Sequence, residues 1–188
     1  MTHLIENRKL LWNLAKNDLK KKFAGSYLGV VWAFVPPIIT VLLYWFVFEV
    51  GLNSKVSDLR TGIEVPFVLW LMAGLVPWFY FQEATNGGTG VMVEYNYLVK
   101  KVVFQIDMLP AVKLISALFT HAFFVCFAVV LFWCMGYTPD LYLLQVFYYT
   151  FCMMMFTAGL VYATSAVNVF FRDMKEVISI LLQVGMWI

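Results

Sequence analysis

Charged residues are scarce in this sequence. They make up 13% of the 188 residues, against 63% hydrophobic and 19% aromatic residues, and the mean hydropathy is +0.82. A soluble domain cannot bury that much apolar surface. A bilayer can, because a helix of about 20 apolar residues crosses its hydrocarbon core of about 30 Å. The composition therefore excludes an ordinary soluble domain and indicates a polytopic helical membrane protein.

Ionisable side chains are nearly absent from the middle of the apolar runs. His121 is the main exception, while Glu49 and Glu83 fall near the predicted ends of spans. A membrane-embedded enzyme or an ion-coupled carrier usually needs acids, bases or metal ligands there, so the sequence argues against both classes. A lone histidine on an apolar helix is more typical of a hydrogen-bonded packing residue than of a ligand.

Cysteine and nucleotide-binding motifs are equally sparse. Cys126, Cys134 and Cys152 lie inside apolar runs without metal-ligand spacing, which predicts small hydrophobic core residues and no metal site. The segment GGTG at 87–90 lacks the Lys-Ser/Thr of a phosphate loop. We therefore expect no enzymatic activity and no cofactor in this chain, so that energy for active transport has to come from a partner.

Four apolar runs are long enough to span a bilayer: 27–52, 63–82, 108–137 and 141–171. The run 177–188 is too short to cross, and we expect it to be the start of a fifth span in a chain truncated at its C-terminus. The sequence predicts an all-α polytopic membrane protein in two parts. Residues 1–26 form an amphipathic interfacial helix, and residues 27–188 form the transmembrane domain.

The distribution of Lys and Arg predicts the orientation. Eleven of the thirteen flank the spans on the side of the N-terminus, and only Lys55 and Arg60 lie on the other side. Because loops on the cytoplasmic side retain positive charge, we expect a multi-pass protein with a cytoplasmic N-terminus.

The basic segment before the first span has the pattern of a helix lying on the membrane surface. One face collects Leu4, Leu11, Trp12, Ala15, Leu19 and Phe23, and the other collects Lys9, Asn13, Lys16 and Lys20. Within the first span, Pro36 and Pro37 remove two backbone donors and predict a bend or break. The freed carbonyls then face protein or water, or the bend only assists packing.

Four segments together resemble the membrane subunits of type-2 ABC exporters, in particular the polysaccharide and polyol-phosphate export permeases. They are SYLGVVWAFVPP (26–37), LMAGLVPWFYFQEA (71–84), NYLVKKVVFQIDMLP (96–110) and FFRDMKE (170–176). Gln105 departs from the family, which often has proline there. The resemblance implies six spans, with re-entrant helices on the outer side between the fifth and sixth, so this chain would cover roughly the first two-thirds.

The resemblance also implies partners. Such permeases are homodimers in the bacterial inner membrane, with two copies of a separate ATPase that binds ATP and Mg. The cytoplasmic segments 83–110 and 171–176 would contact this ATPase, although each is also typical of a plain solvated connection. A coupling helix would comprise Gly90, Val91, Met92, Val93, Glu94, Tyr95, Asn96, Tyr97 and Leu98, with further contacts from Arg172 and Asp173.

The implied substrate is a polysaccharide linked to a polyprenyl diphosphate, most specifically the O-antigen of lipopolysaccharide. Capsular polysaccharide and teichoic acid are the alternatives within the class. Lys20, Lys21 and Lys22 lie at the headgroup level, where cations would pair with the diphosphate. The same lysines would also bind anionic membrane lipid and help to orient the chain.

Aromatic side chains in the first span are candidates for the translocation path, since sugar C–H faces pack on rings. They are Trp32, Phe34, Tyr44, Trp45, Phe46 and Phe48. Ordinary interfacial or lipid-facing positions would explain the same residues. An ion-coupled secondary transporter or channel is the alternative from a different class, followed by a membrane-bound glycan-modifying enzyme, and no nucleic-acid partner is expected.

Overall fold

The computed structural model describes residues 8–22, 25–53, 56–57, 64–96, 106–138 and 140–187. These residues form a helical bundle with four helices long and apolar enough to cross a membrane: Val31–Gly51, Phe67–Glu94, Met108–Cys134 and Leu141–Phe170. The prediction of an all-α polytopic membrane protein with four spans is confirmed.

The described elements follow one another in a simple order. The α-helices are α1 (Arg8–Lys22), α2 (Val35–Tyr44), α3 (Phe67–Glu94), α4 (Met108–Cys134), α5 (Gln145–Phe170) and α6 (Met174–Gly185). Short 3-10 helices at Gly29–Ala33 and Leu141–Leu144 precede α2 and α5, and a π-helical segment, Trp45–Gly51, continues α2. The two-residue strands β1 (Val56–Ser57) and β2 (Glu64–Val65) are antiparallel, with Val56 opposite Val65 and Ser57 opposite Glu64.

Helix α1 packs its apolar face on the beginning of α4. Leu11 and Ala15 are buried against Met108 and Val112. The apolar face that the sequence predicts for α1 is therefore the face that packs against the bundle. Trp12 lies at the edge of this contact, since its ring is half-exposed and meets Phe119 edge-on at 4.8 Å.

The two prolines of the first span stand at the start of α2. Pro36 and Pro37 are the second and third residues of that helix, and only Phe34 separates the helix from the preceding 3-10 helix. Proline is tolerated there because the first N–H groups of a helix have no intrahelical acceptor. The predicted interruption of the first span is thus a junction between a 3-10 helix and an α-helix.

Helix α3 is the centre of the bundle and packs against α2, α4, α5 and α6. Its buried side chains include Leu69, Met72, Tyr80 and Ala84. Small residues let α5 approach closely: a Cβ added at Gly88 would lie 2.3 Å from Cγ1 of Val161.

The helix of the second span is much longer than the predicted run 63–82. It continues through the polar and glycine-rich residues that follow, and ends at Glu94. The hydroxyl of Thr89 donates to the Thr85 carbonyl at 2.8 Å and lies 2.8 Å from the hydroxyl of Thr164. Because these hydroxyls are satisfied inside the bundle, a stretch that looks like a loop in sequence forms a buried helix.

The third and fourth spans agree closely with the predicted runs 108–137 and 141–171. Asp140 starts the fourth by accepting a hydrogen bond from the Leu141 N–H at 2.6 Å. Helix α6 contains most of the run 177–188, and its role as the beginning of a fifth span stays a prediction.

The predicted core position of the cysteines is wrong. Cys126, Cys134 and Cys152 are all free and exposed on the sides of α4 and α5. In a bilayer the outer face of a span meets lipid, which is as apolar as a protein core. Hydrophobicity along the sequence therefore does not distinguish a buried cysteine from a lipid-facing one.

Candidate functional site at the basic end of the bundle

Most described cations gather at one end of the bundle, which we call the basic end. It comprises the end of α1, the end of α3, the start of α4 and the turn before α6. Lys20, Lys21 and Lys22 form the last turn of α1. The strand pair and the turn before Leu141 lie at the opposite end.

A buried ionic cluster attaches α1 to α3 and α4. The Asp18 carboxylate accepts hydrogen bonds from the Tyr95 hydroxyl at 2.5 Å and from Nζ of Lys113 at 2.7 Å. Nζ of Lys113 also lies 3.2 Å from a carboxylate oxygen of Glu94. The side chains of Asp18 and Lys113 are only 7% and 14% exposed. We call these four residues the Asp18 cluster.

Sequence reasoning missed the Asp18 cluster. A signal was present, because Asp18 follows Leu11 by seven residues and Ala15 by three, which places it on the buried face of α1. The partner Lys113 lies in the apolar run of α4. From the sequence, we used it only as one of the positive charges that predict the orientation of the chain. Tyr95 fell inside the predicted coupling segment, and its pairing with Asp18 depends on the packed helices.

The three predicted headgroup lysines have different surroundings. Nζ of Lys22 forms an ion pair with Glu83 at 2.7 Å, and the Lys22 side chain is half-exposed. Lys21 lies over the Tyr95 ring, 5.7 Å from its centroid. Lys20 is exposed. The prediction that they hold a diphosphate stays a prediction.

A polar cavity of about 600 Å³ opens beside this ion pair. We call it the proline-bend cavity, because Pro36 and Pro37 form one wall. The other walls come from the end of α1, the 3-10 helix, α3, α4 and α6. Its lining residues are Lys22, Trp32, Ala33, Pro36, Pro37, Phe79, Gln82, Glu83, Asn86, Gly87, Thr120, Lys175, Glu176 and Ser179.

The two predicted contact segments for a partner meet at the basic end. A Cβ added at Gly90 would lie 3.2 Å from Cδ of Lys175, so the lysine stem covers this glycine. The side chain of Asn168 accepts a hydrogen bond from the Lys175 N–H at 3.2 Å. Arg172 and Asp173 are exposed in the turn before α6.

The predicted coupling helix is only partly described. Gly90, Val91, Met92, Val93 and Glu94 are the last residues of α3, and Tyr95 and Asn96 follow directly. Tyr97 and Leu98 lie outside the described residues. The first part of the segment is therefore continuous with the second span, and its role in coupling stays a prediction.

The six aromatic residues of the first span point in different directions. Trp32 lines the proline-bend cavity, while Phe34 packs on Phe123 with ring centroids 4.0 Å apart. Tyr44 meets Trp187, and Phe48 stacks on Phe67. Trp45 and Phe46 are exposed on the outside of the bundle.

His121 directly follows Thr120 of the proline-bend cavity, but its side chain lines a different cavity, between α3, α4 and α5. Its Nε2 is 3.3 Å from the Thr150 hydroxyl, and its ring is 5.3 Å from that of Tyr80. These contacts suit the predicted packing role. Within the described parts of the chain, no three His, Cys, Asp or Glu side chains are grouped as metal ligands.

The sequence profile of the family described as "ABC-2 type transporter" matches residues 9–188. The chain belongs to this family. Three of the four segments on which the resemblance rests, 26–37, 71–84 and 170–176, supply most of the lining of the proline-bend cavity in this ABC-2 family chain.

Several proteins are similar to this ABC-2 family chain over most of its length. The O-antigen export system permease protein RfbA of Myxococcus xanthus is 28% identical over 179 residues, which cover 95% of this chain and 66% of that protein. RfbA of Klebsiella pneumoniae is 25% identical, covering 91% and 63%. The polysialic acid transport protein KpsM of Escherichia coli is 23% identical, covering 88% and 62%. The chain thus spans slightly less than two thirds of the length of these relatives.

Proposed function

We infer that the chain is the membrane-spanning permease part of an ATP-driven exporter that moves a polyprenyl-diphosphate-linked polysaccharide out of the cytoplasm. The substrate we favour is the O-antigen of lipopolysaccharide, because two relatives named as O-antigen export permeases are similar to the chain at higher identity and coverage than KpsM. The similarity to KpsM keeps capsular polysaccharide, such as polysialic acid, as the second candidate. Teichoic acid is a further member of the same substrate class.

The observation that carries this proposal is the meeting of three family segments at one polar cavity, beside a lysine-rich helix end. A lipid-linked glycan has an anionic diphosphate at the headgroup level and a polar chain that must leave the lipid. Lys20, Lys21 and Lys22 supply cations for the diphosphate. The cavity supplies polar side chains inside the bundle for the attached glycan.

The basic end faces the cytoplasm of a bacterial inner membrane in this proposal. The excess of Lys and Arg on this side supports the orientation. Two ATPase subunits bind there, against Arg172, Asp173 and the end of α3, and supply ATP and Mg.

A second copy of the chain completes the path along the first span. Only 6% of the apolar stretch in Val31–Gly51 is buried within one chain, compared with 39% for Phe67–Glu94. The exposed rings of Trp45 and Phe46 lie on this uncovered helix. A partner first span would cover them and place rings from both copies along the polymer.

Purification of the full-length protein in mild detergent, followed by mass spectrometry of bound subunits, tests the proposal. We expect a stoichiometric partner with a phosphate-loop motif and a permease dimer. A dimer that retains no such ATPase would contradict ATP-driven export. If an ATPase is bound but its deletion leaves the amount of cell-surface polysaccharide unchanged, the proposed substrate class is wrong.

A further inference from the structure

A polar stripe runs along the part of α3 that faces the proline-bend cavity. Gln82 and Glu83 follow Phe79 by three and four residues, and Asn86 follows them by four and three, which places all four on one face of the helix, with Phe79 as its apolar end. Polar side chains within a membrane span are costly unless they face protein, water or a ligand. This stripe forms the polar wall of the cavity.

Several polar atoms of the cavity lack protein partners. Within the described residues, the side-chain amides of Gln82 and Asn86 make no hydrogen bond to protein. The hydroxyl of Thr120 is buried and also unpaired in the described structure, and its residue is only 5% exposed. Buried polar groups normally have partners. The Thr120 hydroxyl is enclosed by protein, whereas the half-buried amides of Gln82 and Asn86 face the cavity and are available to a ligand that donates and accepts hydrogen bonds.

The charges of the cavity indicate a neutral ligand. Lys22 and Lys175 are balanced by Glu83 and Glu176 among the lining residues, so the cavity has no excess of cations with which to select an anion. Trp32 and Phe79 add apolar ring faces. Hydroxyl-binding amides beside aromatic rings match a sugar, which has both hydroxyl groups and C–H faces. A volume of about 600 Å³ lies within the usual range for small-ligand sites.

We propose that the proline-bend cavity is a saccharide subsite that binds the first sugar residues of the glycan, next to the lipid diphosphate. This inference rests on the proposed export function. Gln82 and Asn86 hydrogen-bond the sugar hydroxyls, and Trp32 packs on a sugar face. The diphosphate stays outside, with the exposed lysines at the end of α1. The permease therefore recognises a sugar-bearing lipid rather than any polyprenyl diphosphate.

The test uses the full-length permease with its ATPase in nanodiscs and four defined lipids. One is undecaprenyl diphosphate without a sugar, and the others have N-acetylglucosamine, glucose or galactose attached to the diphosphate. We expect at least one sugar-bearing lipid to bind about tenfold more tightly than the bare lipid. This gain corresponds to one or two additional hydrogen bonds and a ring contact.

The variant Gln82→Met/Asn86→Leu removes the amides at nearly constant volume. We expect it to lose the preference for sugar while binding bare undecaprenyl diphosphate as the wild type does, which also shows that it is folded. Gln145→Met, at an exposed glutamine of the opposite end, is the matched control and retains the preference.

The outcomes separate the two proposals. If wild-type protein binds all four lipids equally, the saccharide subsite is wrong and the export function stands. A sugar preference that persists in the double variant would place the subsite elsewhere and overturn the assignment to this cavity. If none of the four lipids binds, both the subsite and the proposed substrate class are wrong.

Discussion

Asp18 shows how a single side chain connects a surface helix to the membrane bundle. Its carboxylate reaches both Tyr95 and Lys113, and all three side chains are largely buried. A buried ion pair adds little net stability when complete, because desolvation offsets the attraction. Removal of one partner is different, because the other charge then remains buried without compensation. The cluster therefore fixes the position of α1 more than it adds to the total stability.

Asp18→Asn tests this role. We expect the free energy of unfolding to fall by about 3 kcal/mol, near the lower limit for a broken buried pair, because Glu94 still faces Lys113. SDS titration of the full-length protein in micelles measures the change. Asp107→Asn, at an exposed aspartate without an ion pair in the described structure, is the control and should unfold like the wild type. Equal stability of Asp18→Asn and wild type would mean that the cluster holds α1 only weakly.

The lysines at the end of α1 allow a second test at this scale. Lys20→Glu/Lys21→Glu should weaken the binding of undecaprenyl diphosphate in nanodiscs about tenfold or more, because two cations near the diphosphate become anions. The ion pair of Lys22 with Glu83 remains intact. Lys9→Glu/Lys16→Glu makes the same charge change on exposed positions of the same helix. If both pairs weaken binding equally, the lysines act only through general attraction to anionic headgroups.

At the scale of elements, the contact of α3 with α5 decides the shape of the basic end. Gly88 lies against Val161, and the adjacent hydroxyls of Thr89 and Thr164 are 2.8 Å apart. Small residues permit this approach, as they do at helix contacts in other membrane proteins. The close contact keeps the last turns of α3 helical and positions Gly90 beneath the stem of Lys175.

Gly88→Ala is expected to lower the free energy of unfolding by about 1–3 kcal/mol, because the new methyl group would overlap the short, branched side chain of Val161. Gly74→Ala on the same helix meets no atom within 4 Å and gains helix propensity, so its stability should be unchanged or higher. Unfolding in micelles again gives the comparison. A stable Gly88→Ala variant would show that α5 can shift away without loss.

Sequence patterns predicted the helices better than the points where they end. The long apolar runs located all four spans, and α4 and α5 begin within a few residues of the expected positions. The end of α3 was misplaced, because Thr, Asn and Gly have low helix propensity in isolation. Their hydroxyls and small volumes become favourable only when α5 lies alongside. That information is absent from any local window of sequence.

For the whole molecule, the basic end brings together the turn before α6, the last turn of α3 and the proline-bend cavity. Lys175, which follows the turn with Arg172 and Asp173, covers Gly90 of α3 with its side chain and donates its N–H to Asn168 of α5. The proline-bend cavity borders the same lysine. A partner that moves this turn would therefore act directly on the cavity wall.

The exchange Arg172→Asp/Asp173→Arg tests the partner surface without a change in composition or net charge. Neither side chain is buried, and the side chain of Asp173 makes no capping hydrogen bond to α6. We expect the variant to co-purify with less than about half of the ATPase that the wild-type permease retains, because complementary charges fix the relative position of two proteins at an interface. Gln145→Lys at the opposite end should leave the yield unchanged. If the variant with the exchanged pair retains the ATPase fully, this turn is not part of the interface.

The sequence by itself determined the class of protein, the number of spans and the amphipathic character of α1. These properties follow from local hydropathy and periodicity, since each span must satisfy its own backbone hydrogen bonds in lipid. Only the tertiary structure decided which polar residues meet. Asp18 and Lys113 are ninety-five residues apart in the sequence, and the cavity combines side chains from six helical elements. Such contacts depend on how helices pack against one another, and hydropathy does not contain that information because lipid and protein core are similarly apolar.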